Sequence, residues 1–256
     1  MRPVALVTGA SAGLGTEFAE QLARRGYDLV LLARSEDRLR RLAAHLTGSH
    51  GVECTVLAAD LADPDTPARV ADDLARRGIV VHTLVNNAGF GSVGRFEDIG
   101  AGVDQTQVMV NVAALVGLTR ALIPDMLAGG AGAVINVAST AAFQPSPYFA
   151  TYSAGKTFVL NFSLALRQEY RGRGVKVLCV CPGATKTEFF DEIGTKAAIG
   201  PMMSASTVVG TALKALDRDR AYVTPGLRNS LNAHLLPRRP RTLVAAIAKL
   251  VTRSAA

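Results

Sequence analysis

The residues best suited by type and spacing to move a proton are Tyr152, Lys156 and Ser139. Tyr152-Ser153-Ala154-Gly155-Lys156 sets phenol and ammonium at i and i+4, on one face if a helix begins there. A free tyrosine, with a pKa of about 10, is a poor acid or base at neutral pH. A nearby ammonium stabilises the phenolate and lowers that value, which makes the phenol a usable proton donor and acceptor. Ser139 closes the apolar run Gly132-Ala-Val-Ile-Asn-Val-Ala138, placing it at the C-terminal edge of a strand. Open α/β sheets bind their ligands at that edge. Tyr-x-x-x-Lys alone is commonly a surface pair on a helix; its position after a strand ending in serine sets it apart.

A second pattern names the partner of that chemistry. After the strand Val4-Ala-Leu-Val7 comes Thr8-Gly9-Ala10-Ser11-Ala12-Gly13-Leu14-Gly15, and a helix follows. Glycines at a β–α junction permit a tight turn and let backbone N–H groups approach a pyrophosphate at the helix N-terminus. The alternative is a plain β–α turn, but the flanking strand and helix favour a dinucleotide held by Gly9, Ser11, Ala12, Gly13, Leu14 and Gly15. The second strand ends Leu31-Leu32-Ala33-Arg34-Ser35, with a cation where NAD-binding chains place a carboxylate. A guanidinium pairs with a 2′-phosphate and Ser35 adds a hydroxyl, so NADP(H) is expected over NAD(H). Arg34 as a solvated loop residue, with Glu36 and Asp37 close by, is the other reading.

These residues need a scaffold. Apolar, β-like runs at 3–8, 27–33, 52–58, 81–86, 132–138, 175–181 and 221–224 alternate with helical spacing at 14–25, 36–46, 67–77, 104–127, 152–171 and 205–216. Strands apolar on both faces and alternating with helices predict a Rossmann-type, doubly wound parallel sheet of about seven strands with helices on both faces. The 256 residues suit one domain over 1–227, followed by a basic, amphipathic extension over 228–256. Much of the formal net charge of +7 lies between Arg228 and Arg253, on no nucleic-acid motif, so no nucleic-acid partner is expected. Cys54, Cys179 and Cys181 have neither zinc nor redox spacing and read as buried, reduced thiols. The four scattered histidines show no metal-ligand spacing. No uncharged stretch approaches the ~20 residues that span a bilayer, and the first apolar run is too short for a signal peptide. A soluble, cytoplasmic protein is expected.

Taken in order, Thr8-Gly-x-x-x-Gly-x-Gly15, Asp60, Asn86-Asn87-Ala88-Gly89, Asn111, Ser139, Tyr152-x-x-x-Lys156 and Pro182-Gly183 with Thr187 resemble the landmarks of the short-chain dehydrogenase/reductase family, compact single-domain type. The resemblance implies an oxidoreductase that interconverts a carbonyl and an alcohol, with Asn111, Ser139, Tyr152 and Lys156 catalytic. Asp60, followed by Leu61, would hydrogen-bond the adenine. Asn87, Ala88 and Gly89 would pass the cofactor ribose and brace the sheet. Asn111 would hold a backbone kink and a water that links Lys156 to solvent. Pro182, Gly183, Thr185 and Thr187 would wrap the nicotinamide end. Lys156 would bind the nicotinamide ribose and lower the Tyr152 pKa. The family is commonly dimeric or tetrameric.

A lid is implied over 188–204, with Phe189, Phe190, Met202 and Met203; Phe90, Phe143 and Phe149 join them as a candidate apolar wall. A medium-to-large apolar substrate, lipid-like or steroid-like, follows, unless these side chains simply pack in the core. Leu243, Ile247, Leu250 and Val251 share helical spacing, fitting an amphipathic helix on an anionic membrane or on another subunit, or one docked on its own domain. Two alternatives are a non-catalytic NADP(H)-binding redox regulator, which would lack one of Ser139, Tyr152 or Lys156, and an enoyl-type reductase, which would alter the Tyr–Lys spacing.

Overall fold

The computed structural model describes residues 2–189, 201–235 and 238–252. Its strands are β1 (Val4–Thr8), β2 (Asp28–Ala33), β3 (Cys54–Ala58), β4 (Thr83–Asn86), β5 (Gly132–Val137), β6 (Val175–Val180), β7 (Thr185–Lys186), β8 (Met203–Ser204) and β9 (Tyr222–Val223). Its helices are α1 (Gly13–Arg24), α2 (Glu36–His50), α3 (Thr66–Arg76), α4 (Val103–Ala128), α5 (Ala150–Tyr170), α6 (Ala205–Asp217), α7 (Leu227–Leu235) and α8 (Arg241–Thr252).

The main sheet is wholly parallel and seven-stranded, in the order β3-β2-β1-β4-β5-β6-β9. Alternation along each strand divides its side chains between two apolar layers. Ala5 and Val7 of β1, with Leu29 and Leu31 of β2, join Phe18, Leu39 and Leu213 of α1, α2 and α6. Leu6, Val30 and Leu32 point the other way, against Leu74 of α3, Leu118 and Leu122 of α4 and Leu166 of α5. Each fully buried leucine contributes about 2 kcal/mol of transfer free energy. The fold is therefore the expected doubly wound α/β sheet. Its strand order reverses between β1 and β4, and a crevice opens at that switch point beyond their carboxyl ends.

Three local features depart from the expected pattern. The helix carrying Tyr152 starts at Ala150, two residues early, so phenol and ammonium lie wholly inside it. α4 contains a π-helical turn at Met109–Ala113, which widens its winding around Asn111. β7 and β8 form a separate two-stranded ladder, Thr185 beside Met203, which no sequence pattern announced. Alone among the described helices, α4 is long and apolar enough by composition to cross a bilayer; here Leu115, Leu118, Leu122, Ile123 and Met126 are buried inside the fold instead.

Candidate active site

The β1–α1 turn builds one wall of the crevice. Gly9 and Gly13 adopt positive φ angles of 63° and 55°, which lets the backbone reverse without a side chain on the concave side. Gly15 has a different duty: a Cβ there would stand 2.0 Å from the Gly9 carbonyl oxygen, so α1 closes onto the turn only through glycine. The β4 end is tied to this turn. Asn87 and Ala88 each donate a backbone N–H to the Thr8 hydroxyl at 2.9 Å, and the Asn87 side-chain amide donates to the Thr8 carbonyl at 2.9 Å.

The resulting cleft has a volume of about 600 Å³, within the range of small-molecule and cofactor sites. Gly9, Ser11, Ala12, Gly13 and Leu14 line its floor, and Asn87, Ala88 and Gly89 its middle. Arg34, Ser35, Asp60 and Leu61 line one end; Pro182, Gly183, Thr185 and Thr187 line the other side, near Ser139, Tyr152 and Lys156. Two expected residues stand outside it. Gly15 is behind the wall because its backbone packs on Gly9. Asn111 is buried off the cleft, its side chain closed on Phe90: the amide donates to the Phe90 carbonyl at 2.8 Å and the oxygen accepts from the Phe90 N–H at 3.1 Å. Gly89 lies between Asn111 and Lys156; a Cβ on it would stand 2.9 Å from Asn111 Oδ1 and 3.5 Å from Lys156 Nζ.

At the reacting end, the Tyr152 phenol and the Ser139 hydroxyl line the cleft together. Ser139 also caps the short helical turn Thr140–Phe143, accepting from the Ala141 N–H at 3.1 Å, which fixes its hydroxyl in place. The Phe149 and Phe189 rings stand 6.4 and 5.8 Å from the Tyr152 ring. Burial pushes the phenol up to about 12, with the neighbouring Ser139 hydroxyl pulling it partly back. The Lys156 ammonium stands 5.6 Å from the Tyr152 ring centroid and donates to the Val137 carbonyl at 2.8 Å. Burial pushes Lys156 itself down to about 8, against the opposing pull of the Cys179 and Cys181 thiols. Those two buried thiols lie 3.8 Å apart, and that contact together with burial keeps Cys181 protonated. Cys54 is only partly buried, short of the expectation for it.

The sequence reading missed Arg38. It lines the same end as Arg34, one turn further along, and pairs with Glu188 at 2.7 Å. The i+4 spacing from Arg34 was the available signal. Ser35 begins α2 without a side-chain cap bond, leaving its hydroxyl uncommitted to the helix. Of the aromatic wall, Phe90, Phe149 and Phe189 line the cleft beside Val110, Gln144 and Ser146. Phe143 does not; its turn directs it to Tyr222 and His234, at centroid distances of 6.1 and 5.5 Å. Met203 packs against Asn229 rather than in the cleft. The lid residues Phe190 and Ile193 lie outside the described residues.

A family model described as short chain dehydrogenase matches residues 3–198. Sulfoacetaldehyde reductase 2 of Chromohalobacter salexigens is 37% identical over 191 residues, covering 74% of this chain and 75% of that protein. A very-long-chain 3-oxoacyl-CoA reductase of Rattus norvegicus is 32% identical over 242 residues, covering 91% of this chain and 75% of that one. Among solved structures, a short-chain dehydrogenase from Sphingobium yanoikuyae in complex with NADPH is 36% identical, with a TM-score of 0.84 over 91% of this chain and 92% of that chain.

Proposed function

The chain belongs to the short-chain dehydrogenase family of oxidoreductases, and on that premise we propose that it interconverts a ketone or aldehyde with an alcohol using NADP(H). The observation that carries this reading is the Ser139–Tyr152 hydroxyl pair lining the cleft beside the Phe149 and Phe189 rings, with Lys156 on the same helix as Tyr152. The residues present fit the cofactor. The glycine turn leaves room for a pyrophosphate, and Arg34, Ser35 and Arg38 gather cation and hydroxyl donors where a 2′-phosphate would be held. When bound, the nicotinamide supplies or accepts the hydride.

The chain's own groups do the rest. Ser139 holds the substrate oxygen through a hydrogen bond that strengthens as negative charge develops there. Tyr152 gives its proton to that oxygen in reduction and takes it back in oxidation. Lys156 is the cation available to stabilise a developing phenolate and to bind ribose hydroxyls, once its ammonium turns from the Val137 carbonyl. Asn111 fixes the Phe90 backbone and the wide turn of α4, and through them the position of Gly89 beside Lys156.

Phe90, Val110, Phe149 and Phe189 support a medium-to-large apolar carbonyl or alcohol, lipid-like or steroid-like, as substrate. We place the protein in the cytoplasm as a homodimer or homotetramer. Residues 1–227 would be the catalytic domain, and 228–256 an extension able to reach a membrane. The test is a panel of ketones and alcohols followed by NADPH absorbance, run in parallel with NADH. Turnover of an apolar ketone with NADPH well above NADH supports the reading; no turnover across the panel, or turnover only of enoyl substrates, removes it.

A further inference from the structure

We propose that the outer faces of α7 and α8 dock this protein onto an anionic lipid bilayer. Helix α8 settles which of its two apolar faces meets the protein. Val244, Ala248 and Thr252 point inward and are 2 to 4% exposed, and Thr252 lines the large cleft. The bulkier Leu243 and Leu250, on the opposite side, are 46% and 75% exposed. A helix docked only to cover its apolar surface would bury the leucines, because they remove more area from water. Helix α7 repeats the arrangement. Ala233 faces in, and His234 is anchored by the Tyr222 hydroxyl at 2.7 Å. Leu227, Leu231 and Leu235, spaced at i, i+4 and i+8, stand 78%, 49% and 55% exposed.

Charge selects the occupant. After Asp219 the sequence has no Asp or Glu, but it carries Arg220, Arg228, Arg238, Arg239, Arg241, Lys249 and Arg253. These seven cations equal the chain's whole formal net charge of +7, so residues 1–219 hold 21 cations and 21 carboxylates and are neutral. Of the seven, Arg228, Arg238, Arg239, Arg241 and Lys249 are exposed in the structure and lie within four residues of these leucines along the chain, Lys249 lining a groove with Phe96 and Glu97. Exposed leucines with interleaved cations and no acid match an anionic bilayer, where apolar side chains enter the headgroup boundary and cations meet lipid phosphates. A second copy would bring the same cations against themselves in a two-fold contact. The proposal is independent of the catalytic reading, although α8, through Thr252, sets the surface beside the mouth an apolar substrate would enter.

The test is co-sedimentation of the full chain with phosphatidylcholine vesicles, with and without phosphatidylglycerol. Binding to the anionic vesicles only is expected. It should weaken as sodium chloride rises from about 0.1 to about 1 M and the Debye length shrinks from about 10 to about 3 Å. Leu243→Glu with Leu250→Glu, and separately Arg238→Gln with Arg239→Gln and Arg241→Gln, should each lower partitioning at least about tenfold, since each cation near the surface is worth about 1 kcal/mol. Melting temperatures near that of the unmodified chain would show both variants folded. Anionic vesicles left unbound, or bound equally well by both variants, would overturn the proposal. So would a fall in oligomer mass on light scattering for Leu243→Glu with Leu250→Glu without any vesicle binding, which would make the face a contact between copies. Turnover of a water-soluble ketone reports on the catalytic reading separately.

Discussion

The side-chain amide of Asn136 donates to the Ser163 hydroxyl at 2.9 Å, joining the strand that leads into Ser139 to the helix that carries Tyr152 and Lys156. The Ser163 hydroxyl donates to the Val159 carbonyl at 2.6 Å, and Asn136 accepts from Asn86 of β4 at 2.9 Å. Asn86 also donates to Thr119 of α4 at 3.0 Å. This polar chain is buried, and all its side-chain groups but Asn86 Oδ1 find partners inside the protein. Apolar surfaces alone would allow α5 to slide over β5; these bonds give one register, which brings the serine and tyrosine hydroxyls together. Ser163→Ala leaves the Asn136 amide without its acceptor. It should cost about 1 to 3 kcal/mol of stability, read from the urea midpoint, and lower kcat more than KM for NADPH. An unchanged midpoint would mean that the register does not depend on this bond.

Tyr152→Phe keeps the ring packed against Phe149 and Phe189 but removes the proton. Turnover should fall at least ~10²- to 10⁴-fold, the usual contribution of a positioned acid or base. NADPH affinity by fluorescence titration should stay within a few-fold of the unmodified chain. Near-normal reduction by this variant would move the acid/base role elsewhere.

Stability should rise with pH above about 8 because of Lys156. Its folded pKa is lowered to about 8 from 10.5. Below both values each state is protonated and nothing changes; between them only the unfolded chain binds the proton, so stability increases. Tyr152 works in the opposite sense at higher pH. Its value is raised to about 12 from 10.0, so between those limits the unfolded chain alone loses a proton and stability falls. Urea unfolding at pH 8 and 10 should show the rise, roughly 2 kcal/mol. Lys156→Met should flatten it; persistence of the full rise in that variant would assign it to another group.

Arg34→Leu tests the cofactor. Loss of one charge-assisted pairing with a 2′-phosphate should reduce kcat/KM for NADPH about 10- to 100-fold, with little change for NADH. Arg38→Leu should act more weakly, because Arg38 already pairs with Glu188 at 2.7 Å and a phosphate would compete for it. An equal loss with both cofactors would point to a structural role for Arg34.

The sequence by itself determined the seven strands of the main sheet, the helices that flank them and the β1–α1 turn, because strand and helix periodicity and the glycines at Gly9, Gly13 and Gly15 act within a few residues of the chain. It also placed Ser139 at a strand end and Tyr152 four residues before Lys156, since both relations are local. The tertiary structure alone decided where those side chains spend their polar groups. The Lys156 ammonium meets the Val137 carbonyl, Asn111 folds onto Phe90, and Arg38 reaches Glu188, all through partners brought near only when sheet and helices pack. It likewise sent Phe143 to His234 and turned Leu243 and Leu250 outward. A hydrophobic pattern says that a face will be buried, but when a helix has two apolar faces, only the shape and volume of the surface it meets choose between them.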